Sequence, residues 1–354
     1  MPEIQKDQRA IEKSLPSHAR VAIIGGGVVG CSILFHLAKF GLKDTVLLER
    51  DELTSGSSWH AAVQIHTISS DPNISRLQSY TIELYKEIEE ISGHSVGLHI
   101  TGGFYAASTK DWYDYLKRER SKARYMGLHQ EFISPKELGD RHPLIDPKHY
   151  YAALWDDQDG DLDPSGATYA FAKAARVYGA QYFTHCGVTA MAQRPDGSWD
   201  LTTPHGQFNA EQVINCGGLW AREVGRMSGI HLPVQPMEHH YLITEDIAEI
   251  KTRMTNYGEA GRLPAGIDYE ANIYFRQERQ GMLLGTYEPQ STPWKIENTP
   301  WDFGHELLNP DLGRIADRLE MSFERIPAIR SAGIKNVING PFTFGPDGNP
   351  LVGP

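Results

Sequence analysis

The chain has 354 residues, 40% hydrophobic and 22% charged, with 34 Gly and 21 Pro, a composition that fits a soluble globular protein of about two domains and excludes a disordered, collagenous or coiled-coil one. Thirty-four Lys and Arg stand against 45 Asp and Glu, a net charge of -11, the wrong sign for coating nucleic-acid phosphates or anionic lipid. Cys31, Cys186 and Cys216 are dispersed and form no CxxC pair, so they offer neither a disulfide framework nor a zinc ribbon and suit a reducing, cytoplasmic setting.

Residues 1–18 mix acids with bases and lack the apolar core of a signal peptide, which reads as a solvated leader. RVAIIGGG then reads as a buried strand, VVGCSILFHLAKF as a helix stopped at Gly41, and DTVLLER as a second strand. Together they make one right-handed βαβ unit and open a doubly wound α/β domain. The apolar stretch from Val21 to Ala38 is broken by glycines, Ser32 and His36, so strand, turn and helix explain it better than a membrane span. From Asp71 and Pro72 a helix is expected with Ile74, Leu77, Leu84, Ile88 and Ile91 on one face, ending before Gly93.

The acids Asp156, Asp157, Asp159, Asp161 and Asp163 suggest calcium, but an EF-hand loop begun at Asp157 places Leu162 where Gly is required and Thr168 where Glu is required. They read instead as a solvated loop ending in a cap, after which Pro164 opens the alanine-rich helix that Gly179 ends. Hairpin strands around a PDG turn come next, then FNAEQVINCGG, a buried strand ending in two glycines. Past Arg222 the strands PMEHHYLITE, NIYFRQE and GMLLGTYE predict a second, antiparallel sheet domain. The expected division is 19–66, 151–228 and 336–354 for the first domain and 67–150 with 229–335 for the second.

Gly25, Gly27 and Gly30 form GxGxxG between a strand and a helix, and Glu49 ends the next strand. Glycine lets the backbone approach a pyrophosphate, the helix start offers free amides, and the carboxylate accepts from ribose hydroxyls. The motif alone does not separate FAD from NAD. The segment after Glu49 does: a nicotinamide enzyme has no need of the small-residue loop LTSGSSWHAAVQIH with Trp59 and His60.

SGSSWHAA resembles the STWHAA-type segment of the dimethylglycine and sarcosine dehydrogenase family, flavoproteins of the D-amino-acid-oxidase-like superfamily. LGDRHPLID, DQDGDLDPSGAT and VINCGGLWA resemble further segments of that family in the same order. The resemblance implies FAD joined covalently to His60 at the 8α carbon of the flavin, with Gly25, Gly27, Gly30, Glu49, Arg50, Ser58, Gly217 and Gly218 around the cofactor. From the residues alone, the alternative is a buried neutral His60 beside Trp59. Val63 stands where most relatives carry glycine three positions after the histidine.

PMEHHYLIT is similar to the family's PxxHQY-type strand and NIYFRQE to its YYxR-type strand, which aligns His239, rather than His240, and Tyr274 with the residues that relatives place at the substrate. Strand alternation puts His239 and Tyr241 on one face and His240 on the other, while Arg276 faces as Tyr274 does or pairs with Glu278 at the surface. A neutral His near the amine can accept or orient its proton, and Tyr or Arg can hold a carboxylate. A His or Tyr on a strand is as readily packed core.

The implied activity is oxidative N-demethylation of dimethylglycine or sarcosine, with electrons passing to oxygen or an electron-transfer flavoprotein. The rivals are oxidation of another secondary or tertiary amine, such as 4-methylaminobutanoate, and a non-catalytic flavoprotein fragment, since relatives continue past GPDGNPLVGP with a strand and a glycine-rich helix start at the flavin. HExxH, zinc spacing, GxSxG and Walker loops are absent from the sequence.

Overall fold

In the computed structural model, which describes residues 14–353, the chain enters β1 (His18–Ile24), turns into α1 (Val28–Lys39) and returns in β2 (Thr45–Leu48), parallel to β1. Residues 1–13 of the expected leader lie outside the described residues. The helix stops where Gly41 takes φ +91°, a left-handed conformation that side chains resist. After β3 (Gln64–Ile65) comes α2 (Pro72–Ser92), whose cap Asp71 accepts the N–H groups of Asn73 and Ile74. Next are β4 (Gly103–Ala107), α3 (Lys110–Tyr125), β5 (Gln130–Ile133), α4 (Pro135–Arg141), β6 (Ala152–Asp156), β7 (Gly160–Asp161) and α5 (Pro164–Val177). They lead to β8 (Gln181–Phe183), β9 (Ala190–Gln193), β10 (Trp199–Thr203), β11 (Gly206–Asn215) and α6 (Ala221–Met227). The remainder is β12 (Gln235–Thr244), α7 (Ala248–Tyr257), β13 (Ala265–Asp268), β14 (Ile273–Glu278), β15 (Gly281–Thr286), α8 (Ala316–Arg325), α9 (Pro327–Ala332) and β16 (Ile334–Phe344).

Six strands form one sheet in the order β8-β2-β1-β11-β10-β9, parallel from β8 to β11 and antiparallel beyond. Leu34 and Phe35 of α1 and Ala167, Ala170, Phe171 and Ala174 of α5 bury one face against Val21, Ile23 and Leu47; the run of alanines lets the two helices close on each other. Ala22, Ile24, Val46 and Leu48 point the other way, onto Leu201, Phe208 and Val224. The second sheet has eight strands in the order β16-β12-β15-β14-β13-β4-β6-β5. Its outer face packs Phe104, Phe275, Met282 and Leu284 against Ile250, Leu319 and Ile329 of α7, α8 and α9. Every neighbouring pair in it is antiparallel except β13 with β4. The two-domain α/β architecture expected from the sequence is the one observed, with that one parallel pair added where distant parts of the chain meet.

Sheet membership departs from the expected division in three places. Strands β6 and β16 run in the eight-stranded sheet, because Phe104 opposite Trp155 and His239 opposite Gly340 set their register. The helix α2 packs instead with α1 and α5, through Ile82, Leu84 and Ile88; Leu77, expected on that face, is 54% exposed. The acidic run is solvated only at Asp157 and Asp163, which are exposed. Asp156, Asp159 and Asp161 are buried and each is paired: Asp156 with Thr67 and Gln130, Asp159 with His66 and Tyr105, Asp161 with Arg262. Asp163 alone of the run caps a helix, accepting from Ser165.

Among the described residues no helix is long and apolar enough to cross a membrane, and no group of three or more His, Cys, Asp or Glu could hold a metal ion. The three cysteines are free thiols.

Candidate functional site

Where β1 meets α1, the three glycines are held by contact. A Cβ on Gly25, at φ +115°, would stand 2.3 Å from the Cys216 carbonyl oxygen, and one on Gly30 would stand 2.0 Å from the carbonyl oxygen of Gly25. No other side chain fits without moving β11 or α1. Gly27 is the N-cap and brings no side chain to cap the helix, so the first turn faces open space with its amides; the Val28 N–H meets Ser58 Oγ at 3.1 Å. At the end of β2, Glu49 is buried, one carboxylate oxygen accepting from the Gly26 N–H and the other from the Asp51 N–H at 2.8 Å. The Ser55 hydroxyl also reaches the second oxygen at 3.4 Å, and the first keeps acceptor capacity for a further donor. Gly217 and Gly218 complete the rim where β11 ends beside β1. Arg50 lies on the Trp220 ring and donates to the carbonyls of Trp301 and Phe303, so its guanidinium pins that segment against the cavity wall.

His60 ends a single 3-10 turn, Ser58–His60, with Trp59 edge-on to its ring. Burial pushes its imidazole down to about 4, so it is neutral at physiological pH. Its ring lies against Gly340 of β16, and Gly340 sits directly opposite His239 in β12.

His239 Nε2 lies 2.9 Å from the Tyr274 hydroxyl, with the two rings nearly parallel at 13°. Tyr287 and Phe342 close around the imidazole at 4.7 and 5.1 Å between ring centroids. Burial, aided by His240, Arg314 and His60, drives His239 down to about 4, and burial raises Tyr274 well above the usual phenol range. The pair is therefore a protonated phenol hydrogen-bonded to a neutral imidazole, and burial makes His239 a weak base. Across the sheet, Tyr241, Gly285, Tyr274 and Ile267 occupy consecutive paired positions, and Gly285 makes room for the Tyr274 ring that lies over it.

His240 points the opposite way, accepting from the Asp311 N–H and lying 2.9 Å from the Arg314 guanidinium. Arg276 departs from expectation: its ion pair with Glu278 exists at 2.8 Å, but the side chain is buried, donates also to the carbonyls of Ala62 and Gln277, and does not line the cavity. Tyr287, Phe342, Gly285, Gly340 and His66 were not anticipated as site residues. GTYE at the end of its strand carried the one legible signal, an aromatic in phase with Gly285.

One cavity of about 1320 Å³ takes in the glycine loop, Glu49, Ser58, His60, Gly217, His239, Tyr241, Tyr274 and Tyr287. It exceeds the roughly 300–1,000 Å³ of an ordinary small-molecule pocket and has room for a long cofactor and a small substrate together. A glycine cradle that any Cβ would fill, uncapped helix amides and a buried carboxylate with spare acceptor capacity fit the pyrophosphate and ribose of a dinucleotide.

Over 341 residues, 95% of this chain, 40% of positions are identical to the mitochondrial dimethylglycine dehydrogenase of Mus musculus, and 34% over 96% of the chain to the mitochondrial sarcosine dehydrogenase of Homo sapiens. The chain spans 39% and 36% of the length of those two relatives. Among solved structures, the L-proline dehydrogenase of P. horikoshii superposes with a TM-score of 0.82 at 26% identity, covering 96% of this chain and 85% of that one. The family described as DAO, FAD dependent oxidoreductase, matches residues 20–354, and the cradle, the carboxylate and the two-sheet architecture agree with it: the chain belongs to this family of FAD-dependent oxidoreductases, in the neighbourhood of the dimethylglycine and sarcosine dehydrogenases.

Proposed function

We propose that the protein oxidises a small N-methylated glycine, dimethylglycine or sarcosine, with FAD joined covalently to His60. The observation that carries the reading is that His60, His239 and Tyr274 share one cavity with the dinucleotide cradle, in a chain 40% identical to a dimethylglycine dehydrogenase. FAD, when bound, supplies the hydride acceptor for the N-methyl group.

The chain's own residues have separable tasks. Gly25 to Gly30 and Glu49 hold the cofactor's pyrophosphate and ribose. His60, kept neutral by burial, presents a ring lone pair for the covalent bond, which no protonated imidazole could form. Tyr274 and His239 orient the substrate at one wall through a hydroxyl and a ring that fix each other's geometry. Tyr241 and Tyr287, with raised phenol pKa values from burial, stay protonated and can donate to a carboxylate. Phe342 and Ile267 exclude water beside them. Electrons leave to oxygen or to an electron-transfer flavoprotein.

The test is anaerobic mixing of the flavin-loaded protein with dimethylglycine, sarcosine and 4-methylaminobutanoate, followed at the flavin absorption bands, and then acid precipitation. Bleaching by either glycine derivative with yellow colour left in the pellet is the expected result. Faster bleaching by 4-methylaminobutanoate would move the substrate assignment, and a protein that no N-methyl amine bleaches would remove it.

A further inference from the structure

An N-methyl amine is a cation in neutral water and must lose its proton before hydride can leave the adjacent carbon. His60 and His239 are both driven down to about 4 by burial, which makes each a poor acceptor for that proton. A third histidine lines the same cavity. His66 follows β3, its ring 5.7 Å from Tyr105 of β4, and its Nδ1 lies 3.0 Å from Asp159 Oδ2. Asp159 is fully buried and also accepts from the Tyr105 hydroxyl at 3.0 Å and the Thr67 N–H at 3.1 Å. Burial holds the Tyr105 phenol well above its usual range, so the hydroxyl donates. With Nδ1–H donating to Asp159, the lone pair of His66 is on Nε2, for which no protein partner exists among the described residues.

His66 lines the cavity that also takes in His239 and Tyr274. Tyr274, Ile267 and Tyr105 are consecutive paired residues of β14, β13 and β4, so Tyr105 stands two strands, roughly 10 Å, from Tyr274. Ile267 lies between them on the same face, and the cavity it lines has room for a small amino acid beside the cofactor. The other titratable groups beside His66 are Asp156 behind Thr67 and Tyr269 stacked on Tyr105; Asp268, next to Ile267 in β13 and so on the opposite face, is bound to Arg325 and to the amides of Glu270 and Ala271.

We propose that His66, oriented by Asp159, is the base that deprotonates the substrate amine. The inference rests on the N-methyl amino acid reading above. In the step, the amine N–H bond breaks and an Nε2–H bond forms, leaving the neutral amine and an imidazolium opposite a carboxylate; the proton later returns to water.

Stopped-flow flavin reduction by dimethylglycine across pH 7 to 10 tests it. In His66→Gln, with flavin content and spectrum unchanged, the rate at pH 7 should fall by about a hundredfold to ten-thousandfold. The deficit should shrink as pH rises, since the amine then arrives already deprotonated, which a merely structural role would not produce. Asp159→Asn should give a smaller loss with the same pH rescue. Imidazole ¹⁵N NMR of the wild type should show Nδ1 protonated and Nε2 bare, a signature lost in Asp159→Asn. An unchanged rate at pH 7, a loss of equal size at every pH, or the opposite tautomer overturns the assignment while leaving the substrate class intact. A wild type that no N-methyl amino acid reduces overturns both.

Discussion

Gly340 lies flat on the imidazole of His60, so that a Cβ there would stand 2.5 Å from both Cε1 and Nδ1. The same glycine pairs across the sheet with His239. One backbone position therefore sets the place of the residue expected to carry the flavin and of the residue expected at the substrate.

Gly340→Ala should displace the His60 ring, since contacts below 3 Å force a shift and overpacking a filled site costs about 1–3 kcal/mol. The expected outcome is a folded protein that releases flavin into the supernatant on acid precipitation, as His60→Ala should. Wild-type retention of flavin in the Gly340→Ala pellet would show that the imidazole is free to move and is not fixed by β16.

A Cβ on Gly285 would stand 1.9 Å from Tyr274 Cζ and 2.2 Å from its hydroxyl. Gly285→Ala should swing Tyr274 off His239 and slow flavin reduction by dimethylglycine more than Tyr274→Phe does. The latter removes only a neutral hydrogen bond, worth about 0.5–1.5 kcal/mol or roughly a two- to tenfold effect. Stopped flow on the two variants, each with an intact flavin spectrum, gives the comparison, and equal rates would mean that the ring's position has no role.

Glu49 accepts from the Gly26 and Asp51 amides. Such charge-assisted bonds contribute about 1.5–3 kcal/mol each, so Glu49→Ala should loosen the glycine loop as well as the ribose site. Flavin content per chain after purification should fall sharply and the melting temperature of the flavin-free protein should drop too. A flavin loss without any change in the flavin-free melt would assign the carboxylate to the cofactor alone.

Legibility in the sequence depended on the range of the interaction. The βαβ unit, both capped helices and the strands bearing His239 and Tyr274 come from local patterns: alternation, Asp-Pro starts and glycine stops. Val63 stood out only through the family resemblance. Its backbone takes φ +42°, the left-handed region that a β-branched side chain resists, which agrees with the glycine expected there from the family resemblance. Pairing between distant strands was not legible. Nothing near Asp159 in sequence announces that His66, far earlier in the chain, turns toward it, so the acidic run read as a solvated loop. Arg276 misled for the same reason, because its carbonyl partner Ala62 comes from the loop after His60.

His142 carries the pH prediction. Its ring is fully buried edge-on between Phe104 and Phe275, with neither nitrogen hydrogen-bonded among the described residues. Burial pushes it down to about 3, and His60 and His239 to about 4. In the unfolded, flavin-free chain all three return to roughly 6.5. Between pH 6.5 and 4 the unfolded state therefore binds more protons than the folded one, and stability, fully present above pH 6.5, falls as the pH is lowered. Each histidine contributes about 1.4 kcal/mol per pH unit through that window. His142→Leu removes one of the three and replaces two unbonded polar atoms with an apolar side chain between two aromatic rings. Thermal melts at pH 7.5 and pH 5 should show the variant losing less than the wild type on acidification, with no loss at pH 7.5. Parallel declines for the two proteins would mean that the His142 ring reaches a proton donor or solvent in the folded state, and its neutral burial would have to be abandoned.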